Sequence, residues 1–254
     1  MKKVESKELF KDVSKDYSDL YDQFNRNIRK HFVSNILDKE NINRVLDVGN
    51  GGTNPEDILS EDITKKLGLF VGNDSSFDML TRIKRSIGVS VNSDALSLPF
   101  KKESFDTILI MSLIHHIGFS SEEKDLYCRL RIFLKELIPL LEEGGCVYII
   151  ESTLPRFLER VERYLYLPLY TKVLRKKFIP TFMFCSCDLQ NILNEYFDYD
   201  ILEYKWVYRL FDSKWEMMAP TLYFKWLKLP VVFSPFKILF YKCRPKKSRH
   251  IYGR

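Results

Sequence analysis

The sequence predicts an α/β fold built on a mostly parallel sheet with helices on both faces. Three observations carry this: short apolar runs recur along the chain, helical spacing separates them, and the runs at 105–111 (FDTILIM) and 146–150 (CVYII) are nearly continuous. A strand with one wet face alternates apolar and polar residues, whereas a continuous run is buried on both faces, as in parallel sheets. At 254 residues and 45% hydrophobic positions the chain is long enough to bury one substantial core.

Two helices are predicted first, over 6–22 and 25–38, the second with Phe24, Ile28, Phe32 and Ile36 on one face. Residues 44–49 (RVLDVG) read as a strand entering a Gly-rich turn. Asn54-Pro55-Glu56-Asp57 then opens a helix, with a capping side chain, Pro at the first position and acids in the first turn. Strand and helix alternate from there: strand 69–72, helix 76–85, strands 89–92 and 105–111. A long helix over 122–141, stopped by Gly144-Gly145, leads into strand 146–150. Residues 155–180 interrupt the pattern as a basic, aromatic insertion with Phe157, Val161, Tyr164 and Pro168 about one turn apart. Helix 189–197, strand 199–208, a second aromatic insertion over 210–234 and a last strand over 235–243 complete seven strands. No repeat or linker stands out. The expected organisation is one domain, with N-terminal helices over 1–40, a core over 42–152 and two cap insertions.

Residues 1–13 are polar and charged, which predicts neither a secretory signal nor an anchor and places the chain in the cytoplasm. Five scattered cysteines in such a chain read as reduced thiols. The close pair Cys185-x-Cys187, without a second pair or a nearby histidine, is thin grounds for zinc; two small core or loop residues explain it as well. The net charge of +6 conceals an asymmetry: residues 154–254 hold 19 Lys and Arg against 9 Asp and Glu, while residues 1–153 hold 21 against 25. The later segment also carries 23 of the 36 aromatic residues, including all three Trp. That combination suits contact with an apolar and anionic surface, including peripheral contact with a membrane.

The chemistry concentrates at strand ends. The first strand ends in Asp47-Val48-Gly49-Asn50-Gly51-Gly52-Thr53, where glycines allow a sharp turn and close approach to a ligand. The second ends in Gly72-Asn73-Asp74, a carboxylate placed to accept hydrogen bonds from ribose hydroxyls. The third ends in Ser93-Asp94-Ala95. Three acids thus line one edge of the sheet.

With these residues in view, the chain resembles the class I methyltransferases of the small-molecule type that includes the ubiquinone and menaquinone C-methyltransferases. VLDVGNGG is similar to that family's VLDVGCGTG, GNDSSFDML to its GxDxSxxML, and SDALSLPFKKESFD to its GDAxxLPFxxxSFD. LIHHI falls where the family often has a histidine pair, and LKELIPLLEEGGCVYIIE where it has a helix, a Gly-Gly turn and the fifth strand. The resemblance covers roughly residues 42–152. It implies a Rossmann-like, seven-stranded class I methyltransferase fold that binds S-adenosyl-L-methionine. It also implies that Asp47, Gly49 and Gly51 shape the pocket around the methionine part, that Asp74 holds the ribose, that Ser75 and Met79 lie near the adenosine, and that Asp94 and Ala95 meet the adenine. The alternative for Asp74 is a helix cap and for Asp94 a turn. Two departures stand out: Thr53 replaces a usual glycine, and the Asp47-to-Asp74 spacing exceeds the family's by several residues.

Methyl transfer from a sulfonium requires alignment and exclusion of water, and no metal. If the acceptor must lose a proton, His115 or His116 is the candidate general base; the alternative is one histidine in the core and one bonding a loop carbonyl. The two insertions fall where this fold builds its acceptor lid, and their composition suits a small-molecule or lipid-like acceptor. Two other readings stay open. An RNA methyltransferase would use the basic half, against which the fourth strand lacks an Asn/Asp-Pro-Pro-Tyr/Phe type of motif, and a non-catalytic partner protein would use the fold as a scaffold.

Overall fold

The computed structural model describes residues 28, 37–81, 88–117, 127–166, 168–169, 182–206, 209, 213–215, 217–218 and 229–246. The predicted N-terminal helices lie outside these residues except for Ile28 and residues 37–38; Ile28 and Leu37 are helical and buried. Most of the second insertion, and residues 167 and 170–180 of the first, also lie outside them.

Seven strands form one sheet: β1 (Arg44–Val48), β2 (Leu69–Asp74), β3 (Val89–Asn92), β4 (Phe105–Met111), β5 (Leu141–Thr153), β6 (Phe197–Trp206) and β7 (Lys237–Pro245). Their order is β3-β2-β1-β4-β5-β7-β6. The first five are parallel, and β7 runs antiparallel to both of its neighbours. The order reverses between β1 and β4, and open α/β sheets bind ligands outside the strand C-termini at such a point.

Side-chain alternation accounts for the continuous apolar runs. Leu46, Val48, Ile108, Ile110, Val147 and Ile149 join the core on one face; Val45, Leu109, Met111, Tyr148 and Ile150 join the core on the other. The first face is covered by α4 (Cys128–Leu137) and α6 (Ser186–Tyr196) through Phe133, Leu134, Leu189 and Leu193. The second is covered in part by α1 (Glu61–Lys66) through Ile63. The shorter helices are α2 (Phe77–Thr81), α3 (Ile114–Ile117) and α5 (Arg156–Val161).

Several boundaries differ from the expectation. The helix expected to run to residue 141 ends at Leu137, and Pro139 closes it in a 3-10 turn, Ile138–Leu140. Proline has no N–H to continue the ladder, so the stop comes before the glycines. Strand β5 therefore starts at Leu141. Gly144 and Gly145 sit inside it, within an irregularity where Phe105 pairs with Leu141 but Thr107 with Cys146. Finally, β6 begins two residues earlier than expected and β7 two later. Phe197, read as the end of a helix, is buried and pairs with Pro245.

The longer first loop is absorbed locally. The 3-10 turn Pro55–Asp57 carries a capping box between Asn54 and Asp57, and α1 is capped by Ser60, whose side chain accepts from the Ile63 N–H at 3.4 Å. The parallel register of β1 and β2 is intact, with Asp47 opposite Gly72.

Candidate cofactor and acceptor site

The loop after β1 is held by its own side chains. Asp47 is fully buried and accepts from Asn50 Nδ2, which also donates to the Thr53 carbonyl at 3.1 Å. Thr53 Oγ1 donates to the Asn50 carbonyl at 2.9 Å. Thr53 therefore stands in for a glycine without strain, because the left-handed positions are Gly49, Gly51 and Gly52 (φ +67, +60 and +80). A Cβ on Gly49 would come within 2.6 Å of Leu113 Cδ1, so this glycine allows close packing against the loop after β4. A Cβ on Gly51 would meet only Met79 Cε at 3.6 Å.

Asp74 joins this loop to the next. Its Oδ2 accepts from the Gly51 N–H and its Oδ1 from the Ser76 N–H, both at 2.8 Å. Both carboxylate oxygens therefore take part in fixing the side chain at the end of β2, facing the Gly-rich loop. The half-buried side chain remains within reach of solvent. Buried Asn73 donates to the Val91 and Ser93 carbonyls and to Ser93 Oγ, tying the end of β2 to the end of β3. Ser75 is half-buried in the bend before α2, and Met79 is buried on that helix beside Gly51. Asp94 is exposed, and its Oδ1 accepts from the Leu96 N–H at 2.9 Å, a turn-forming role. Ala95 packs against the core beside it.

The histidines follow β4. His115 Nδ1 lies 2.7 Å from Glu151 Oε1, and Glu151, fully buried at the end of β5, also accepts from the N–H groups of Ile114 at 2.7 Å and Ser152 at 2.9 Å. An ionised carboxylate only accepts, so this pairing assigns the proton to Nδ1 and leaves Nε2 with the free lone pair. His116 stacks beside it, ring centroids 4.1 Å apart, and burial, reinforced by the neighbouring His115, holds its pKa well below the ordinary histidine value. It stays neutral at physiological pH. The His115 carbonyl accepts from Phe182 N–H at 3.0 Å, and the Phe184 carbonyl from Leu154 N–H at 3.0 Å, so segment 182–185 borders the ends of α3 and β5.

Sequence reasoning missed Glu151 as a site residue. The signal was there: an acid closing a buried apolar strand at the sheet edge that carries the other acids.

Residues 46–149 match the methyltransferase domain family. Over those residues the chain carries a methyltransferase domain, on a Rossmann-like class I methyltransferase fold. Solved structures agree on the fold. One is the protein in complex with the Haloferax volcanii Trm112 methyltransferase activator, 14% identical with a TM-score of 0.61, covering 96% of this chain and 99% of that one. Another is the Bacillus subtilis YcgJ protein, 15% identical with a TM-score of 0.54, covering 89% and 100%. A third is a Thermotoga maritima S-adenosylmethionine-dependent methyltransferase, 16% identical with a TM-score of 0.52, covering 93% and 98%. No curated protein matches the sequence.

The methyltransferase loop fits S-adenosylmethionine on its own geometry. Gly51 leaves space where a side chain would stand, and the Asp74 carboxylate is fixed beside it at the strand edge. A metal has less to recommend it. Donor atoms of Cys185, Cys187 and Asp188 lie within 4.8 Å of one another, but Arg156 and Arg163 approach Asp188 at 3.2 and 3.9 Å, and two guanidinium groups oppose a cation there. Cys185 instead caps α6, its Sγ accepting from the Asp188 N–H at 3.4 Å.

Proposed function

We propose that this methyltransferase domain transfers a methyl group to a small-molecule or lipid-like acceptor, with His115 as general base. The observation that carries the proposal is the His115–Glu151 pair beside the Gly49–Gly52 loop end of the sheet. The bound cofactor would supply an activated methyl group. Asp74 would hold its ribose; Ser75 and Met79 would lie along the adenosine; Asp94 Oδ2 and the Ala95 backbone would meet the adenine; Asp47, Gly49 and Gly51 would shape the methionine end. His115 Nε2 would take the acceptor's proton while Glu151 fixes the ring and stabilises the imidazolium that forms. The likeness of the motifs to the ubiquinone and menaquinone group, and the 23 aromatic residues after Thr153, support a greasy phenolic or quinone-like acceptor.

The test is radiolabelled methyl transfer from S-adenosylmethionine into a panel of phenols, quinols and total lipid extract. Label in an organic-soluble product that His115→Asn loses, with cofactor binding retained, supports the proposal. Label appearing in RNA, with salt-sensitive RNA binding, would favour the RNA reading. The basic later segment motivates that arm, although Ser112-Leu113-Ile114-His115 follows β4 where base-amino methyltransferases carry their Pro-Pro motif. Cofactor binding without transfer in any arm, together with capture of an activator such as the one solved with the Haloferax volcanii protein, would favour a partner role.

A further inference from the structure

Helix α5 and the π-helical turn that continues it, Glu162–Tyr166, are amphipathic with their polarity reversed. The acids turn inward: Glu159 is 2% exposed and paired with Arg163, while Glu162 is half-buried and accepts from the Met183 N–H at 3.3 Å. The apolar residues turn outward: Phe157, Tyr164 and Leu165 are 67, 72 and 66% exposed, and Val161 and Leu169 are exposed with them. From Phe157 to Leu165 their spacing of four, three and one residues keeps them on one helical face. Arg156 and Arg160 are exposed on the same turns. The sequence continues this character, since no acid occurs between Arg163 and Cys187 while Lys172, Arg175, Lys176 and Lys177 do.

A surface helix in water buries its apolar stripe and solvates its charges. This one does the opposite, so its outward face gains free energy by meeting something apolar. Burial pushes the Glu162 carboxyl up to about 8, so at neutral pH it is mostly protonated and offsets little of the arginine charge. Aromatic and aliphatic groups interleaved with cations and no exposed acid are complementary to an anionic lipid interface. The second insertion also exposes aromatic rings: Trp215 and Phe233 are both exposed, with ring centroids 6.4 Å apart.

We propose that the outward face of α5 and its π-helical continuation, Phe157, Arg160, Val161, Tyr164 and Leu165, docks the protein on an anionic membrane surface. The docking needs no acceptor and goes beyond the catalytic reading, so either can fail while the other stands.

The test is co-sedimentation of the full chain with vesicles of phosphatidylcholine alone or mixed with phosphatidylglycerol. The expected result is partition onto the mixed vesicles that weakens as salt rises and is lost in Phe157→Glu/Leu165→Glu, whose melting temperature matches the wild type because both positions are exposed. Arg160→Gln should lower the partition about five-fold, the equivalent of ~1 kcal/mol for one cation near an anionic surface. No partition at low salt would overturn the proposal, and so would partition that the double variant retains. Wild-type self-association that the double variant abolishes, without vesicle binding, would make the face a contact between copies and overturn it too.

Discussion

Helices α4 and α5 both interleave charged and apolar residues, and the fold turns them opposite ways. In α4, Leu130, Phe133, Leu134 and Leu137 are fully buried while Lys135 and Glu136 face water. In α5 the acids go in and the apolar groups come out. The difference teaches that periodicity fixes a stripe but not the direction it faces. Direction follows from what each side can satisfy: α4 lies on an apolar sheet face, whereas Glu159 meets Arg163, which also lies over the Tyr127 and Phe182 rings at 5.3 and 5.5 Å.

Core and outward helices should respond very differently to truncation. Leu134→Ala leaves a cavity and should cost roughly 2–5 kcal/mol, read by urea denaturation. Phe157→Ala should change stability by less than about 0.5 kcal/mol; equal losses would break the contrast.

At the acceptor end, Glu151→Gln should lower the methyl-transfer rate about 10- to 100-fold while leaving KM for S-adenosylmethionine unchanged. A matching rise in that KM would instead show that Glu151 supports the cofactor pocket.

A smaller effect should appear with pH. The folded pKa of His116 lies below its unfolded value near 6.5, so below that pH the unfolded chain binds a proton the folded one refuses. Stability is present above pH 6.5 and falls as pH drops, by at most about 1.4 kcal/mol per pH unit for one proton. Glu162 acts oppositely: its raised pKa gives stability below about 4.5 that is lost as pH rises through about 8. In thermal melts across this range, His116→Gln should flatten the acid limb and Glu162→Gln the alkaline one. In the loop after β1, Thr53→Gly should cost about 1 kcal/mol through the lost Asn50 bond and a freer unfolded chain, with no gain in cofactor affinity.

The sheet was legible in the sequence because parallel strands buried on both faces leave continuous apolar runs, and the Gly-rich loop because left-handed positions demand glycine. Strand β5 was misjudged at its start, since Gly144-Gly145 reads as a helix stop although Pro139 already supplies one. Glu151 escaped notice because its role comes from β4 and β5 lying side by side, a contact between residues 36 apart. The basic, aromatic stripe of α5 was legible, but not its outward direction, because Arg163 lies over Tyr127 and Phe182 from distant segments. Thr53 looked like a defect until its hydroxyl was seen to close the loop.

The central claim is that the loop after β1 and the Asp74 carboxylate bind S-adenosylmethionine. Calorimetric titration with S-adenosylmethionine and S-adenosylhomocysteine, comparing wild type with Asp74→Ala, tests it most directly. The account predicts saturable one-site binding by the wild type, weakened at least ~10-fold in the variant through loss of a charged acceptor and of the anchor for the Gly51 and Ser76 N–H groups. A folded wild type that binds neither ligand would contradict it.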